Sequence, residues 1–380
     1  MRMASRGRVL VAMSGGVDSS VTAYLLKSQG YECAGATMRL ACTRRLDEEG
    51  ARTCCSLSDI EDAAATAARL GIPHRVIDLR PVFEREVVEK FVRTYRAGAT
   101  PNPCIDCNRY LKFGALLDHA LEEGFDYIAT GHYARVERAR GAWELRRGAD
   151  AAKDQSYVLY SLTQERLAHV LLPLGGLGKE ADVRRIAREQ GLSSAGKPDS
   201  QGICFVGDDD FASFIERRDG RSLPEGDVLD RDGRVIGRHR GALRYTIGQR
   251  KGLGVAAAHP LYVTALDVEA NTVTLGGVED LMAGSLVAHD WIWSAPATRC
   301  EELIEAAGED GAPVAAKIRY HQPDQEARMS LVDARAGAAG GVRIDFTRPQ
   351  RGIAPGQAVV VYEGDTVLGG GCVTAVGGGR

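Results

Sequence analysis

The chain has 380 residues, with 48 lysines and arginines against 51 aspartates and glutamates, for a formal net charge of −3 at pH 7. This length predicts two or three domains, and the balanced charge excludes a protein that binds nucleic acid over its whole surface. We expect no membrane span or export signal, so the nine cysteines indicate a reducing, cytoplasmic setting rather than a disulfide scaffold.

The first predicted element is a strand at Arg8–Met13, which a turn at Ser14–Gly16 connects to a helix. Such a strand, glycine turn and helix start bring backbone N–H groups and a positive helix end together, which is typical of an anion site. Ser19 and Ser20 add hydroxyl donors, and Asp18 indicates a cation such as Mg²⁺ beside the anion. The stretch has neither GxxxxGK[ST] nor GxGxxG, and an ordinary serine-rich turn is the alternative.

Strands and helices alternate through residues 1–208, which we assign to one α/β domain. Further strands are predicted at Glu32–Met38, His74–Asp78 and Tyr127–Thr130. Helices are predicted from a capping box at Ser58–Glu61 to about Leu70, and at Val82–Arg96 and Arg109–Glu123. This alternation predicts a parallel sheet with helices on both faces and a ligand at the carboxyl ends of its strands. Ser14, Met38 and Gly131 are therefore expected to line one crevice.

Short strands with Gly and Asp turns replace the helices after about residue 208. Hairpins are predicted from Val228-Leu229 to Val235-Ile236, through Asp232-Gly233, and from Leu261–Asp267 to Thr272–Leu275. Regularly spaced strands continue to the end of the chain and predict a small barrel. These strands are Val314–Arg319, Ala327–Leu331, Val342–Phe346, Ala358–Tyr362 and Val367–Val376. We place a small, mostly β central domain at 209–282 and a C-terminal β-barrel at 283–380.

Cysteines form a second constellation. Cys104 and Cys107 lie in a proline-stiffened loop before a helix, and Cys204 lies in a polar loop at 196–205. A thiolate near a helix N-terminus is stabilised by the helix dipole, which favours a reactive cysteine. The CxxC spacing also fits a redox pair, a zinc half-site or coincidence, although no second CxxC completes a zinc site. Sulfur chemistry or an iron–sulfur cluster is the favoured interpretation.

Six segments together resemble the tRNA-specific 2-thiouridylases over nearly the whole chain. In order, they are SGGVDSS (14–20), TPNPCIDCN (100–108), ATGHYAR (129–135), KDQSYVL (153–159), KPDSQGICFV (197–206) and RYTIGQRKGLG (244–254). The first segment alone resembles the pyrophosphate loop (PP-loop) of ATP pyrophosphatases. The resemblance implies a PP-loop ATP-pyrophosphatase domain, a central tRNA-binding domain and a C-terminal β-barrel.

The resemblance also implies an activity. ATP, with Mg²⁺, adenylates the C2 oxygen of the wobble uridine of tRNA, and persulfide sulfur then displaces AMP to give 2-thiouridine. The implied substrates are the tRNAs for Lys, Glu and Gln. The implied partner is a persulfide donor, such as a cysteine desulfurase or a sulfur-relay protein.

Site residues follow from the same resemblance. Cys204 matches the cysteine that carries the persulfide, and Cys107 matches a partner that releases sulfide or closes a Cys107–Cys204 disulfide. Contacts to ATP are implied at Ala12, Met13, Ser14, Gly15, Gly16, Val17, Asp18, Ser19, Met38 and Gly131. Contacts to tRNA are implied at Asn102, Pro103, Cys104, His132, Lys153, Asp154, Gln155, Arg319, Tyr320 and Gln357.

Cys104 departs from the family pattern, because many relatives carry aspartate there. The departure puts any acid–base role of this position in doubt, and we hypothesise Asp106 as a substitute. As an alternative, Cys104, Cys107 and Cys204 would hold an iron–sulfur cluster with one open iron. Two other function classes stay open: a synthetase that forms a nitrogen product, and a nucleotide-sensing RNA-binding protein without turnover.

Basic residues are concentrated in the central domain. Eight lie within 21 residues: Arg231, Arg234, Arg238, His239, Arg240, Arg244, Arg250 and Lys251. Because arginine pairs with phosphate through two donors, this run predicts an RNA-binding face, with a solvated basic hairpin as the alternative. Residues 39–56 also contain arginines with which tRNA contact is possible: Arg39, Arg44, Arg45 and Arg52.

Overall fold

Seventeen strands and ten helices account for most of the regular structure in the part of the chain that the computed structural model describes, residues 6–40, 57–198, 202–206, 210–332 and 340–378. The strands in chain order are β1 (Arg8–Ala12), β2 (Glu32–Arg39), β3 (His74–Asp78), β4 (Tyr127–Ala129), β5 (Ala134–Ala139), β6 (Ala142–Arg147), β7 (Val170–Leu171), β8 (Gly226–Leu229), β9 (Val235–His239), β10 (Tyr262–Asp267), β11 (Thr272–Gly276), β12 (Met282–Trp293), β13 (Ala312–Lys317), β14 (Gln325–Val332), β15 (Gly341–Arg351), β16 (Ala358–Glu363) and β17 (Thr366–Gly378). The helices are α1 (Val17–Ser28), α2 (Leu57–Leu70), α3 (Arg80–Phe83), α4 (Glu89–Arg96), α5 (Pro103–Asp106), α6 (Leu116–Glu122), α7 (Gln164–Leu167), α8 (Arg184–Glu189), α9 (Phe211–Asp219) and α10 (Ala297–Ala307). No helix among these residues is long and apolar enough to cross a membrane.

The N-terminal sheet is parallel, with the strand order β3-β2-β1-β4-β7. Its central strand β1 is buried on both faces, since Val9, Leu10 and Val11 have no exposed surface, as expected for an apolar run in a parallel sheet. The predicted α/β domain is confirmed. Helix α2 already includes Leu57, so Ser58 lies within its first turn and does not cap it as predicted.

Two long helices contain π-helical turns. Helix α3 continues through a π segment at Glu84–Val88 into α4. Helix α5 continues through a π segment at Cys107–Ala115, which is kinked at Gly114 (φ −102°, ψ −106°), into α6. The second helix therefore begins at Pro103, six residues before the predicted start at Arg109. Proline suits the first helical position, because its missing N–H has no partner there in any case.

A hairpin that the sequence analysis missed joins the N-terminal part to the barrel. Strands β5 and β6 pair antiparallel around Arg140 and Gly141, both with positive φ (53° and 84°). Thr366 of β17 pairs with Arg146 of β6, so the hairpin extends the C-terminal sheet. Its arginine-rich strands lack a continuous apolar face, which is why the alternation of strands and helices did not reveal it.

The rest of the chain is mostly β, as predicted. In the central part, β8–β9 and β10–β11 form the two expected hairpins, which a parallel β8–β11 pairing joins into one sheet. The last six strands close into an antiparallel barrel in the order β12-β15-β14-β13-β16-β17, with β17 paired back to β12. The barrel prediction is confirmed, although α10 was not predicted.

The largest hydrophobic core is shared by the N-terminal part and the barrel. Leu10 of β1 and Leu111 and Leu116 of the second long helix belong to the same buried cluster as Val360 of β16 and Val367 of β17. The helix that carries Cys104 and Cys107 therefore packs between the parallel sheet and the barrel.

Candidate active site

The loop after β1 leaves the start of α1 open to an anion. Gly16 is the N-cap of α1, and its φ and ψ of −88° and 165° are extended, with no side chain capping the first turn. The loop is stabilised by its own serines. The Ser14 N–H donates to Ser19 Oγ (3.2 Å), and the hydroxyls of Ser19 and Ser20 donate to the Gly16 carbonyl (3.1 and 2.9 Å). Uncapped backbone N–H groups at a helix N-terminus form a phosphate site.

Glycine is required at two positions around this loop. A Cβ on Gly131 would lie 2.7 Å from Asp18 Cβ and 2.9 Å from the Asp18 carbonyl carbon. A Cβ on Gly15, whose φ is +70°, would lie 2.4 Å from the Asp59 carbonyl oxygen. Gly131 therefore packs directly on the first turn of α1.

The other residues predicted to contact the nucleotide lie at the same edge of the sheet. Ala12 ends β1, Met38 lies near the end of β2, and Gly131 follows β4, and these three strands are parallel neighbours. The structure thus brings Ser14, Met38 and Gly131 to one edge of the sheet. Met13 and Val17 are buried supports (2% and 4% exposed), and the Met13 carbonyl accepts a hydrogen bond from Thr37 (2.8 Å).

We expect Gly131→Ala to lower kcat/KM for ATP on the order of 10²-fold, because the methyl group would push Gly131 away from Asp18 and misplace the loop by a fraction of an ångström or more. Steady-state kinetics with varied ATP would measure the change. Gly176→Ala is the matched control, since nothing lies within 4 Å of a Cβ there. Equal behaviour of the two variants would contradict the close approach.

Sequence reasoning missed the two partners of Asp18. The Lys179 ammonium donates to both Asp18 carboxylate oxygens (2.7 Å each), and the Tyr133 hydroxyl donates to Oδ1 (2.7 Å). Lys179 and Tyr133 are almost fully buried (2% and 3% exposed). One signal was available, because Lys179 begins the helical run that leads into α8, and a cation is unfavourable at a helix N-terminus.

The segment 153–155 is hydrogen-bonded to Tyr133, one of the two partners of Asp18. Gln155 and Tyr133 exchange hydrogen bonds: the Tyr133 N–H donates to Gln155 Oε1 (3.0 Å), and the Gln155 N–H donates to the Tyr133 carbonyl (2.9 Å). Asp154 has an internal role, since it accepts from the N–H and hydroxyl of Ser156 (3.0 Å each) and from the Gly148 N–H (3.0 Å). The Lys153 N–H donates to the Asp150 carbonyl (3.0 Å).

Cys104 and Cys107, the two cysteines of the CxxC segment, differ in exposure. Cys104, in the first turn of α5 after the N-cap Asn102 and the buried Pro103, is exposed, and Cys107 is half-buried. Between them, Asp106 is 6% exposed and accepts a hydrogen bond from Lys90 (2.6 Å). Burial raises the pKa of Asp106, although the Lys90 charge opposes the shift. This inward, paired carboxyl is at odds with the hypothesis that Asp106 replaces an acid–base group at position 104.

Cys204 is half-buried and packs on the same core as Cys107. The adjacent Phe205 anchors its segment, because this ring makes edge contacts with Phe83, Phe91 and Phe214 at centroid distances of 5.6, 5.1 and 5.4 Å. Part of the motif, Asp199–Gln201, lies outside the described residues.

The three cysteines do not form a metal site in this conformation. Over the described ranges, which include Cys104, Cys107 and Cys204, no three His, Cys, Asp or Glu side chains are grouped so as to hold a metal ion. The residues present therefore do not fit the iron–sulfur alternative, and no chemical step is derived through a cluster.

The barrel contributes to the cysteine side of the site. Burial, together with the charges of Asp154 and Cys104, raises the pKa of Tyr320 to about 12. The Gln357 amide donates to the Thr100 carbonyl (3.0 Å), immediately before the cysteine loop. Arg319 donates to the carbonyls of Arg351 and Gly352 (2.6 Å each).

Arg319 and Gln357 line a cleft of about 450 Å³ to which all three parts of the chain contribute. The lining residues are Thr100, Thr246, Ile247, Gly248, Arg319, Arg351, Gly352, Ala354 and Gln357. Burial and the neighbouring Arg351 charge lower the pKa of Arg319. The cleft is thus a basic entrance beside the cysteine loop.

His132 is not at the surface. It is 8% exposed, with Nδ1 2.7 Å from Thr130 Oγ1 and Nε2 3.4 Å from Lys112 Nζ. Burial, with the Lys112 charge, lowers its pKa well below the usual range, so the imidazole is neutral.

Half of the basic run in the central part is neutralised internally. Arg244 pairs with Asp210 (3.2 Å) and Glu216 (2.6 Å), and Arg238 pairs with Asp227 (2.9 Å). His239 is buried, which lowers its pKa. Arg240, Arg250 and Lys251 are exposed and form no ion pair with any described residue. Arg44, Arg45 and Arg52, the other predicted basic contacts, lie outside the described residues.

Sequence comparisons match most of the chain to three domain profiles. Residues 7–208 match a tRNA methyl transferase HUP domain, 212–277 a tRNA methyl transferase PRC-barrel domain, and 284–373 an aminomethyltransferase β-barrel domain. The tRNA-specific 2-thiouridylase MnmA of Heliobacterium modesticaldum is 50% identical over 96% of this chain and 92% of its own length. That of Moorella thermoacetica is 48% identical over 97% and 99%.

Solved structures are more distant. A 4-thiouridine synthetase in complex with RNA and ATP is 19% identical, with a TM-score of 0.35, over 56% of this chain and 50% of that chain. The U34-tRNA thiolase NcsA from Methanococcus maripaludis is 19% identical, with a TM-score of 0.34, over 56% and 67%.

Proposed function

Because this chain belongs to the family of tRNA-specific 2-thiouridylases, we propose that it replaces the C2 oxygen of the wobble uridine of tRNA with sulfur at the expense of ATP. One observation supports the mechanism: two half-buried cysteines, Cys107 and Cys204, pack on one core beside a sheet edge whose central loop presents the open N-terminus of α1 to a phosphate. A synthetase or a binding protein without turnover would leave both thiols unused.

In the first step the loop at Ser14–Ser19 holds the phosphates of ATP. The uridine O2 bonds to the α-phosphorus, and the bond from that phosphorus to the diphosphate oxygen breaks. N–H groups at the start of α1 stabilise the charge on the phosphoryl oxygens. Adenylation converts the C2 oxygen, a very poor leaving group, into part of AMP, which leaves readily.

In the second step Cys204 carries the persulfide, Cys204–S–SH. Its terminal sulfur bonds to C2 of the uridine, and the C2–O bond breaks to release AMP. The Cys107 thiolate attacks Cys204 Sγ, so that a Cys107–Cys204 disulfide forms and the bond from Sγ to the terminal sulfur breaks. The terminal sulfur then stays on C2 as the sulfur of 2-thiouridine. If this attack comes first, the terminal sulfur leaves as sulfide, which bonds to C2 and displaces AMP. A thiol reductant then restores both cysteines. In this proposal the mechanism does not require Cys104.

Mg²⁺ would be held mainly through the substrate. Mg²⁺ is typically bound by one or two carboxylates together with phosphates, and Asp18 is the carboxylate at the start of α1. In the described structure this carboxylate is compensated by Lys179, so binding of the cation would replace part of that ion pair. The cation would neutralise phosphate charge.

The sulfur donor would be a persulfide-carrying protein, such as a cysteine desulfurase or a sulfur relay. Free thiols support the cytoplasm as the working compartment, because thiols stay reduced there. The tRNAs for Lys, Glu and Gln are the proposed substrates.

The proposal is tested by reconstitution. Anaerobically purified protein, ATP, Mg²⁺, a persulfide donor and unmodified tRNA should yield 2-thiouridine at the wobble position, detected by nucleoside mass spectrometry, with one AMP formed per thiolation. Iron and labile sulfide in the active protein, at a level matching its activity, would instead favour the cluster alternative. The proposal would be refuted if none of the three tRNAs gave 2-thiouridine.

We expect tRNA to bind across the exposed basic residues of the central part. Replacing Arg250 and Lys251 by alanine should reduce the slope of log Kd against log salt by about 1.5 to 2, because each cation releases counterions from one phosphate. Arg188→Ala on α8 is the matched control, being exposed and without an ion pair among the described residues. A slope equal to that of the control would exclude this surface.

A further inference from the structure

Lys112 is a half-buried cation with an unusual environment. Among the described residues its ammonium contacts only His132, at 3.4 Å between Nζ and Nε2, and no carboxylate lies within ion-pair distance. Two other lysines of the site region differ: Lys90 pairs with Asp106 (2.6 Å) and Lys179 pairs with Asp18 (2.7 Å). A partly desolvated charge without a counter-ion is costly, so its presence indicates a place for an anion.

His132 orients Lys112 without neutralising it. The ammonium has only donors, so Nε2 must accept from it, and Nδ1 then carries the proton and donates to Thr130 Oγ1 (2.7 Å). One neutral tautomer satisfies both contacts. The buried imidazole stays uncharged at neutral pH. It therefore fixes the direction of the Lys112 side chain and leaves its full charge available.

Two parts of the chain locate the Lys112 ammonium: the segment at Gly131 and His132, and the π segment that begins at Cys107. His132 directly follows Gly131, which packs on Asp18 at the start of α1, so the ammonium lies beside the nucleotide edge of the sheet. Lys112 also lies five residues after Cys107 in the π segment. In a π-helix the backbone hydrogen bond joins residues five apart, so Cys107 and Lys112 lie on neighbouring turns, closer to one helix face than in an α-helix. An α-helix would separate the two side chains by roughly 140°.

We propose that Lys112 is a catalytic residue that binds the α-phosphate of ATP between the phosphate loop and Cys107. This inference rests on the proposed function. When the uridine O2 bonds to the α-phosphorus and diphosphate leaves, the ammonium stabilises the non-bridging α-oxygens. When sulfur bonds to C2 and the C2–O bond breaks, the same ammonium stabilises the departing AMP. The proton stays on Lys112 in both steps.

The first test is Lys112→Met, with tRNA-dependent diphosphate release as the readout. We expect the rate to fall about 10²–10³-fold, as for removal of one preorganised donor to a reacting oxyanion. Lys112→Arg should recover part of the rate, because it keeps the charge. The matched control, Lys27→Met, removes an exposed lysine of α1 that bonds the Leu70 carbonyl and should stay near the wild-type rate. A wild-type rate for Lys112→Met would overturn the inference.

A second test separates contact with the phosphate from a structural role. The two diastereomers of ATP that carry sulfur on the α-phosphorus place the sulfur at different non-bridging positions. The wild-type enzyme should discriminate between them, and Lys112→Met should reduce that ratio at least tenfold. Unchanged discrimination in a slow variant would show that Lys112 only supports the fold. Cys107→Ser should still release diphosphate, whereas wild-type protein that releases none would refute the proposed function itself.

Discussion

Replacement of Cys204 by serine is expected to abolish 2-thiouridine formation while leaving ATP binding, tRNA binding and diphosphate release nearly unchanged. Serine has almost the same volume but cannot carry a persulfide, so only the sulfur-transfer step is lost. The half-buried position of Cys204 on the main core makes the substitution structurally mild. Nucleoside mass spectrometry and diphosphate release on the same samples would measure both steps.

A series of cysteine variants makes this prediction specific. Cys107→Ser should also stop multiple turnover, whereas Cys104→Ser should keep most activity, because Cys104 is exposed and has no part in the proposed transfer. Cys372→Ser is the matched control, a free and half-buried thiol of the barrel whose pKa is raised by burial. Equal losses in the Cys104, Cys107 and Cys204 variants would favour a cluster with three thiolate ligands.

Lys179→Met is expected to lower the free energy of unfolding by about 3 kcal/mol. This value lies at the lower end of the usual cost of removing one partner of a buried ion pair, because the Asp18 carboxylate keeps some contact with water. It should also lower kcat/KM for ATP on the order of 10²-fold, since the Asp18 carboxylate would then repel the incoming phosphates. Denaturant unfolding and steady-state kinetics measure the two effects.

The double variant Asp18→Asn with Lys179→Met should regain much of the lost stability but not the activity, because both charges are removed together. Lys197→Met is the control: it breaks more exposed pairs with Asp59 (3.1 Å) and Asp62 and should cost about 0–1 kcal/mol. If Lys179→Met were no more destabilising than this control, the Asp18–Lys179 pair would have no special role.

The sequence predicted the features that depend on neighbouring residues and missed those that depend on residues far apart in the chain. Local patterns were sufficient for β1, for the two central hairpins and for the barrel strands, because periodicity and turn residues are encoded within a few positions. The Asp18–Lys179 pair joins residues 161 positions apart, and no local pattern reports such a contact. The π winding after Cys107 is likewise invisible to a helical pattern that assumes 3.6 residues per turn.

Because the N-terminal part and the barrel share one hydrophobic core, we expect that they cannot be separated into two independently folding domains. Leu111 and Leu116 belong to the same buried cluster as Val360 and Val367. A chain cut before the barrel would therefore expose a large apolar surface on the helix that carries Cys104 and Cys107. Thermal unfolding of the catalytic and barrel parts should therefore be a single cooperative event. We therefore expect that the barrel cannot be exchanged for a foreign module unless the helix that carries Cys104 and Cys107 is redesigned with it.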